Sequence, residues 1–600
     1  MPPGSTRVRN NRAAVAAEAS EQEYRAYSRR GAEQRVLPLL GMSEWNRPRD
    51  MDSPQPSGEN GSHGALGMAP GDLEVFFPLT WEQLPGEALR DLQREAPNGD
   101  ALPEWLQAGL ERYGLPGYLP EMARLELAVQ DCSQYSSRIE KHPREETLNP
   151  SLRVLHLDWT GLLELIRARL GGDGSQRSRE PKPGQAIALL WWDPGSTRVW
   201  LEAAGNEDLL VLKVVAEGLD LSSLASEHGL RPSLLKTLIQ QARSKGLVLG
   251  PASGIRRDQA VVPTDSPWSV SHDRPEIFTL QWHLTQACDL HCRHCYDRSQ
   301  RRTMSLDEAV RVIGDLASFC DTKHVRGQVT FTGGNPLLYK HFQAVYQAAA
   351  DQGFILALLG NPTDDATLEK LLEIEPPSLF QVSLEGLEEH NDFIRQPGHF
   401  QRTLHFLDRL RDYGIPSQVM LTLTEANLDQ VLPLAEVLRD RVDRLTFNRL
   451  SMVGEGAALR LPDPERYGRF LEDYLQGARE NPVLGLKDNL LNQVLLSRGD
   501  KTFGGCTGFG CGAAFNFVTL LPDGEVHACR KLPSPIGNIH EAGLEAIYDS
   551  PAAERYRTAP EACKDCRLRP VCRGCLAVTH SFGLDVFTDR DPFCPGLVQV

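Results

Sequence analysis

The sequence predicts a multidomain chain centred on a partial parallel α/β barrel, and three observations carry that expectation. A cysteine triplet, Cys288-Asp-Leu-His-Cys292-Arg-His-Cys295, lies between an apolar run that reads as a buried strand and a run with helical spacing. Eight further cysteines crowd into the last hundred residues. Between residues 185 and 251, two strand-like runs are followed by three helical ones. With 600 residues, of which 41% are hydrophobic, the chain is long enough for several domains.

Taken in order, residues 1–72 are rich in Arg, Ser, Pro, Gly and Glu, lack sustained periodicity and contain no apolar signal core. They are expected to be disordered. Residues 73–180 show leucines at helical spacing (Leu84, Leu89, Leu92; Leu102, Leu106, Leu110; Met122, Leu125) and predict an all-helical domain of unknown role. Residues 181–255 give a hairpin, Ala186–Trp192 and Arg198–Ala203 around Asp193-Pro194-Gly195. Helices follow over about 207–216, 221–227 and 233–245, then a short strand at Leu247–Leu249. That outline is a winged helix, which in other settings binds DNA. Its third helix offers only Lys236, Arg243 and Lys245, and the chain carries 64 Lys plus Arg against 80 Asp plus Glu, a net charge of −16. Nucleic acid binding needs a concentrated basic footprint, so charge argues against it. No run of eighteen apolar residues occurs, which argues against a membrane-spanning helix.

The barrel is expected over residues 270–460. Phe278–Leu284 reads as its first strand and Leu306–Phe319 as its first helix, so the triplet sits at the strand's C-terminal edge, where such barrels keep their active sites. Three thiolates are one short of the four that a four-iron cluster takes, leaving one iron open. The alternative is a zinc site, which would need a fourth protein ligand and more often uses C-x2-C pairs.

The triplet in this context resembles the radical S-adenosylmethionine (SAM) superfamily. The resemblance implies a (β/α)6 TIM-like barrel and a 4Fe-4S cluster held by Cys288, Cys292 and Cys295. Its open iron binds the amino and carboxylate groups of SAM, and electron transfer then yields a 5'-deoxyadenosyl radical. Gly333-Gly334-Asn335-Pro336, after a second strand, resembles the family's G-G-E-P element, whose glycines allow close approach to the methionine end of SAM. Asn335 stands where Glu is usual, so the charge is absent and a carbonyl acceptor remains. Ser383 and Glu385, closing the fourth strand, resemble the element that reaches the ribose. Thr424 and Arg449, at the ends of the fifth and sixth strands, would lie near the nucleoside, and His294 takes the place of an aromatic residue against adenine.

After a helical linker, 461–505, residues 506–600 hold Cys506, Cys511, Cys529, Cys563, Cys566, Cys572, Cys575 and Cys594, enough thiolates for two fully ligated 4Fe-4S clusters. The set resembles the SPASM domain. That resemblance assigns Cys506, Cys511, Cys529 and Cys575 to one auxiliary cluster and Cys563, Cys566, Cys572 and Cys594 to the other. Cys575 follows Cys572 after two residues where the family more often has three. Fully ligated clusters are left with electron transfer and structure. A zinc ribbon on the two C-x2-C pairs is the competing arrangement, although their x5 separation is short for one. Disulfides are disfavoured in a reduced compartment. Cys132 and Cys320, each isolated, read as small buried hydrophobes. Some sulfatase-maturing relatives carry an acidic base directly after the hairpin cysteine; here that place holds Arg530. Asp523, Asp589 and Asp591 are the remaining candidates for proton handling.

Together these readings describe a cytoplasmic radical SAM oxidoreductase that cyclises or crosslinks a ribosomally made precursor peptide. Residues 185–251 would take the leader in the manner of a PqqD-like domain, by strand addition. A reduced flavodoxin or ferredoxin would supply electrons. The runs Thr332–Pro336, Ser451–Gly456 and Gly510–Phe517 resemble the maturases of selenobiotic-type peptides, associated with a thio- or seleno-oxazole modification. The alternatives are a sulfatase-maturase-like enzyme acting on a protein Cys or Ser, and an Fe-S or zinc winged-helix regulator.

Overall fold

The computed structural model describes residues 73–95, 97, 99–171, 180–258, 261–262 and 272–596; residues 1–72, expected to be disordered, lie outside them. The described chain divides into two compact units. One runs from Leu73 to Ala252 apart from Arg231–Ser233, and the other comprises Arg231–Ser233 and the residues from Ser253 onward.

The first unit opens with helices Gly86–Glu95, Leu102–Tyr113 and Leu119–Gln134, whose leucines and alanines form a core of their own. The all-helical expectation for 73–180 then fails. Strands β1 (Thr147–Leu148) and β2 (Arg153–Thr160) lie within that span, and β2 pairs antiparallel with β3 (Lys182–Asp193), which pairs in turn with β4 (Arg198–Ala203). The reason is visible along β3. Leu189 and Trp191 pack on the helices Asn206–Glu217 and Pro232–Ser244, while Ala188 and Leu190 pack on Leu119–Gln134 and Leu162–Gly171. A strand covered on both faces reads as a continuous apolar run, and its partner β2 is hidden among helical segments. The three helices expected after the hairpin form at Asn206–Glu217, Leu221–His228 and Pro232–Ser244, and the closing strand β5 (Val248–Leu249) pairs with β1.

The second unit holds a nine-stranded sheet of order β11-β10-β9-β8-β7-β6-β12-β13-β14. Its parallel part is β6 (Ile277–Thr285), β7 (Arg326–Gly333), β8 (Ile355–Leu359), β9 (Leu379–Ser383), β10 (Ser417–Leu423) and β11 (Arg444–Arg449), the six strands expected of a TIM-like half-barrel. Along β6 the even residues Phe278, Leu280, Trp282 and Leu284 enter the apolar core with the helices. The alternate residues of β6 are polar, Thr279, Gln281, His283 and Thr285. The helix Leu306–Lys323 starts at a capping box, Ser305 Oγ accepting from Glu308 N and Glu308 returning to Ser305 N.

The C-terminal cysteine domain is continuous with this sheet. β12 (Phe517–Leu520) pairs parallel with β6, on the side away from β7, and carries the antiparallel β13 (Glu525–His527) and β14 (Pro535–Asn538). The β12–β13 turn needs Gly524, which has φ 93° and would bring a Cβ within 2.3 Å of His540. No helix of the described residues is long and apolar enough to cross a membrane.

Candidate active site and cluster ligands

The triplet loop leaves the end of β6 and is pinned from three sides. Asn335 N and Gly334 N donate to Ala287 and Thr285 carbonyls (2.8 Å each), Arg293 N to Ile394 O (2.9 Å), and Glu455 N to Cys295 O (2.9 Å). Glycines permit this closeness. A Cβ on Gly334 would stand 2.2 Å from Ala287 O, one on Gly333 2.4 Å from Thr285 O, and one on Gly454 2.5 Å from Tyr296 O. The Gly-Gly pair therefore has a first duty toward the loop's own backbone. Cys288 is exposed, while Cys292 and Cys295 are half-buried.

Protein donors approach two of the thiols: Asn361 Nδ2 lies 3.7 Å from Cys288 Sγ and Arg395 NH1 3.7 Å from Cys292 Sγ. Burial raises the Cys292 thiol and Arg395 opposes it. A metal ligand must be the thiolate, so the cation beside it suits ligation. Arg395 reaches this place through Glu385, which is fully buried. Glu385 Oε1 takes Arg395 NH2 at 2.6 Å and His294 Nε2 at 2.8 Å, and Oε2 accepts from Thr422 N at 2.8 Å. Burial alone would raise the Glu385 carboxyl, but His294 and Arg395 outweigh it and hold it well below the usual carboxylate range. The two residues assigned to ribose and adenine thus form one ion-paired node, with Ser383 half-buried two residues before it.

Thr424 Oγ1 is buried with no hydrogen-bond partner. An orphaned hydroxyl at the strand end is the kind of group a bound nucleoside satisfies. Arg449, assigned to the same region, is committed elsewhere. Its Nε donates to Asp488 (2.8 Å) and its two terminal nitrogens to Asp591 (2.8 and 2.7 Å), so the expected nucleoside contact is replaced by a buried structural ion pair. Pro336 is buried and opens a short turn capped by Asn335, whose Oδ1 accepts from Leu337 N at 3.3 Å.

Each of the carboxylates expected to handle protons has a partner in the structure. Asp523 pairs with Arg301 (2.7 Å), Asp589 accepts from Asp585 N (2.8 Å), and Asp591 holds Arg449 and Cys575 N. A different pair stands beside the cysteine loop: Tyr296 OH lies 3.2 Å from His283 Nε2, and His283 Nδ1 is buried without a partner. Burial, then Arg530, lowers His283 to about 3, so it is neutral at physiological pH. Arg530, which occupies the place of an acidic base in some relatives, lies 3.5 Å from Thr332 Oγ1. Sequence reasoning missed His283, Arg395, Asn361 and Asp289. Only the last, inside the triplet itself, carried a signal that proximity to the cysteines would have flagged.

In the C-terminal domain the thiols gather in two groups. Cys506 and Cys529 each interact electrostatically with Cys511 and Cys575, whereas Cys563 and Cys572 each interact with Cys594. Cys563, Cys566, Cys572 and Cys594 line one cavity, together with Arg569, Arg573 and Asp591. Desolvation pushes Cys563 to about 11 and Cys529 to about 12, thiols that ionise only when a metal takes the proton's place. Among the described residues no three His, Cys, Asp or Glu side chains converge closely enough for a single ion.

Residues 282–438 match the radical SAM superfamily, and residues 511–575 match the SPASM iron-sulfur cluster-binding domain. Over 346 residues the chain is 27% identical to an AdoMet-dependent heme synthase of Methanosarcina barkeri, covering 52% of this chain and 95% of that protein. It is 25% identical over 325 residues to the antilisterial bacteriocin subtilosin biosynthesis protein AlbA of Bacillus subtilis, covering 51% and 69%. Among solved structures, that of Streptococcus suis SuiB bound to S-adenosylmethionine aligns with a TM-score of 0.44 at 16% identity, covering 68% of this chain and 96% of that one. The chain thus contains a radical SAM domain followed by a SPASM domain, and its cofactors are a 4Fe-4S cluster, SAM and auxiliary iron-sulfur clusters.

Proposed function

We propose that this chain is a maturase that oxidatively cyclises or crosslinks a ribosomally made precursor peptide. When bound, the cluster and SAM supply a radical that takes a hydrogen atom from a substrate carbon; the protein's share is binding, orientation and exclusion of water. Glu385 fixes His294 and Arg395 around the cysteine loop. β12 joins the cysteine domain to β6, so Cys529, two residues beyond β13, belongs to the same sheet system as the triplet. Cys506, Cys511, Cys529 and Cys575 would hold an auxiliary cluster there, which would supply an electron acceptor.

The substrate class rests on the first unit. The segment shared with the relatives covers about half of this chain, and those relatives' names divide between heme and bacteriocin biosynthesis. The observation that carries the peptide reading is the three-stranded sheet β2-β3-β4, backed by helices on both faces, whose outer strands β2 and β4 each have, among the described residues, one edge that pairs with no strand. Such an edge receives an extended peptide by strand addition. The PqqD-like role of residues 185–251, and the finer reading of a selenobiotic-type maturase forming a thio- or seleno-oxazole, belong to this proposal. In support of the latter, the resembling run Ser451–Gly456 packs on the cysteine loop, through Gly454 and through Glu455 N on Cys295 O. The test is anaerobic reconstitution with iron and sulfide quantitation, a 5'-deoxyadenosine assay, and mass spectrometry of a co-expressed precursor. Loss of a hydrogen pair per modification supports the proposal, and SAM cleavage with an unmodified peptide refutes it.

A further inference from the structure

Two buried amides from different strand ends converge on a single carboxylate oxygen. Asn335 follows β7 and Asn361 follows β8, and the Nδ2 of each donates to Asp289 Oδ1, at 3.0 and 2.6 Å. Asp289 is the residue after Cys288, and it is exposed. Among the described residues its Oδ2 has no hydrogen-bond or ion-pair partner, so the amides hold a carboxylate steady at the C-terminal ends of the strands with one oxygen open.

Asn335 itself has little left to offer an N–H donor. It carries no charge, its Nδ2 is a donor, and its carbonyl oxygen already accepts from Leu337 N. A carboxylate oxygen, by contrast, accepts from an amine N–H more strongly than a neutral amide oxygen does. From these contacts, and resting on SAM as the cofactor, we infer that Asp289 accepts a hydrogen bond from the amino group of SAM's amino-acid end, with Asn335 and Asn361 as positioning residues. The carboxylate expected after the Gly-Gly pair sits instead on the cysteine loop, across the same hydrogen bond.

The competing role for Asp289 is to tie the two amides together, and Asn in its place still presents an oxygen to both. Asp289→Asn therefore separates charge from scaffold. In the anaerobically reconstituted holoenzyme, SAM binding is read by equilibrium dialysis and by the SAM-induced change in the EPR spectrum of the reduced cluster, with iron and sulfide content as the loading control. Asp289→Asn should load iron normally and bind SAM at least tenfold more weakly. The exchange variant Asp289→Asn with Asn335→Glu should regain most of that loss, because it returns one carboxylate to the pair from the other side. Unchanged SAM binding in Asp289→Asn, or an exchange variant no tighter than the single one, overturns the assignment. A wild-type protein that loads iron yet ignores SAM overturns the cofactor reading beneath it, an outcome distinct from either.

Discussion

Glu385 is where one side chain decides the most. It is fully buried, it holds Arg395, His294 and a backbone amide, and Arg395 touches Cys292. Removing one member of a buried ion pair leaves the rest uncompensated, at a cost of about 3–5 kcal/mol. Glu385→Ala should therefore lower the urea midpoint of the cluster-free protein markedly, and Glu385→Gln less, since the amide oxygen still accepts from Thr422 N. The pH dependence follows from the direction of the shift. The folded-state pKa lies below the unfolded one, so this stabilisation is complete above about pH 5 and is lost as pH falls through the folded value. The gap in unfolding free energy between wild type and Glu385→Gln should thus close on acidification; a gap that stays constant would mean the carboxylate's charge is not what counts. Nothing in the sequence announced Arg395 as the partner, because the contact joins the end of β9 to the end of the following helix and follows no fixed spacing.

Among the elements, the cysteine loop and β3 show opposite degrees of legibility. The loop was readable because ligation demands particular side chains at short spacing, and the glycines beside it leave almost no alternative. A methyl on Gly334 would need to pass within 2.2 Å of Ala287 O, a backbone atom that moves only if the loop moves. Gly334→Ala is expected to fold with unchanged helical circular dichroism but to retain far less iron at the first cluster, as chemical analysis would detect; full iron loading would show the loop to be more pliant than its hydrogen bonds suggest. β3 was readable as a strand, but its second partner was not, since β2 lies amid helical spacing and its alternation is weak. The structure gives neighbouring residues of β3 separate cores, Leu189 on one face and Leu190 on the other. Leu189→Ala and Leu190→Ala should each destabilise the first unit by about 2–5 kcal/mol. Were either nearly neutral in thermal denaturation, that face of the sheet would not be packed as described. Arg449 shows the limit from the other side: its position at a strand end suggested a ligand contact, and only tertiary structure reveals two aspartates, from distant parts of the chain, that claim it.

Across the whole molecule, the division into units says where chemistry and substrate choice can be pulled apart. An excision of residues 185–251 alone, natural from the sequence outline, would remove most of β3, leaving β2 paired only at Trp159 and Thr160 and taking Ala188 and Leu190 from the core shared with helix Leu119–Gln134. Such a variant would report misfolding and not function. A cut before Ser253 takes only Arg231–Ser233 from the second unit and keeps the half-barrel, its β12 extension and all the cysteines assigned to clusters. If the first unit recruits the peptide, the chain from Ser253 onward should load iron and cleave SAM to 5'-deoxyadenosine under strong reductant, yet leave a full-length precursor unmodified at concentrations where the intact protein modifies it. A core peptide supplied at high concentration should then be modified slowly, because tethering acts through effective concentration and does not alter the reacting groups. Undiminished modification by the shortened chain would instead favour an enzyme that acts on a protein Cys or Ser without a leader. A shortened chain that loads iron but cannot cleave SAM would mean that the first unit completes the active site, so the two functions would not be separable along this boundary.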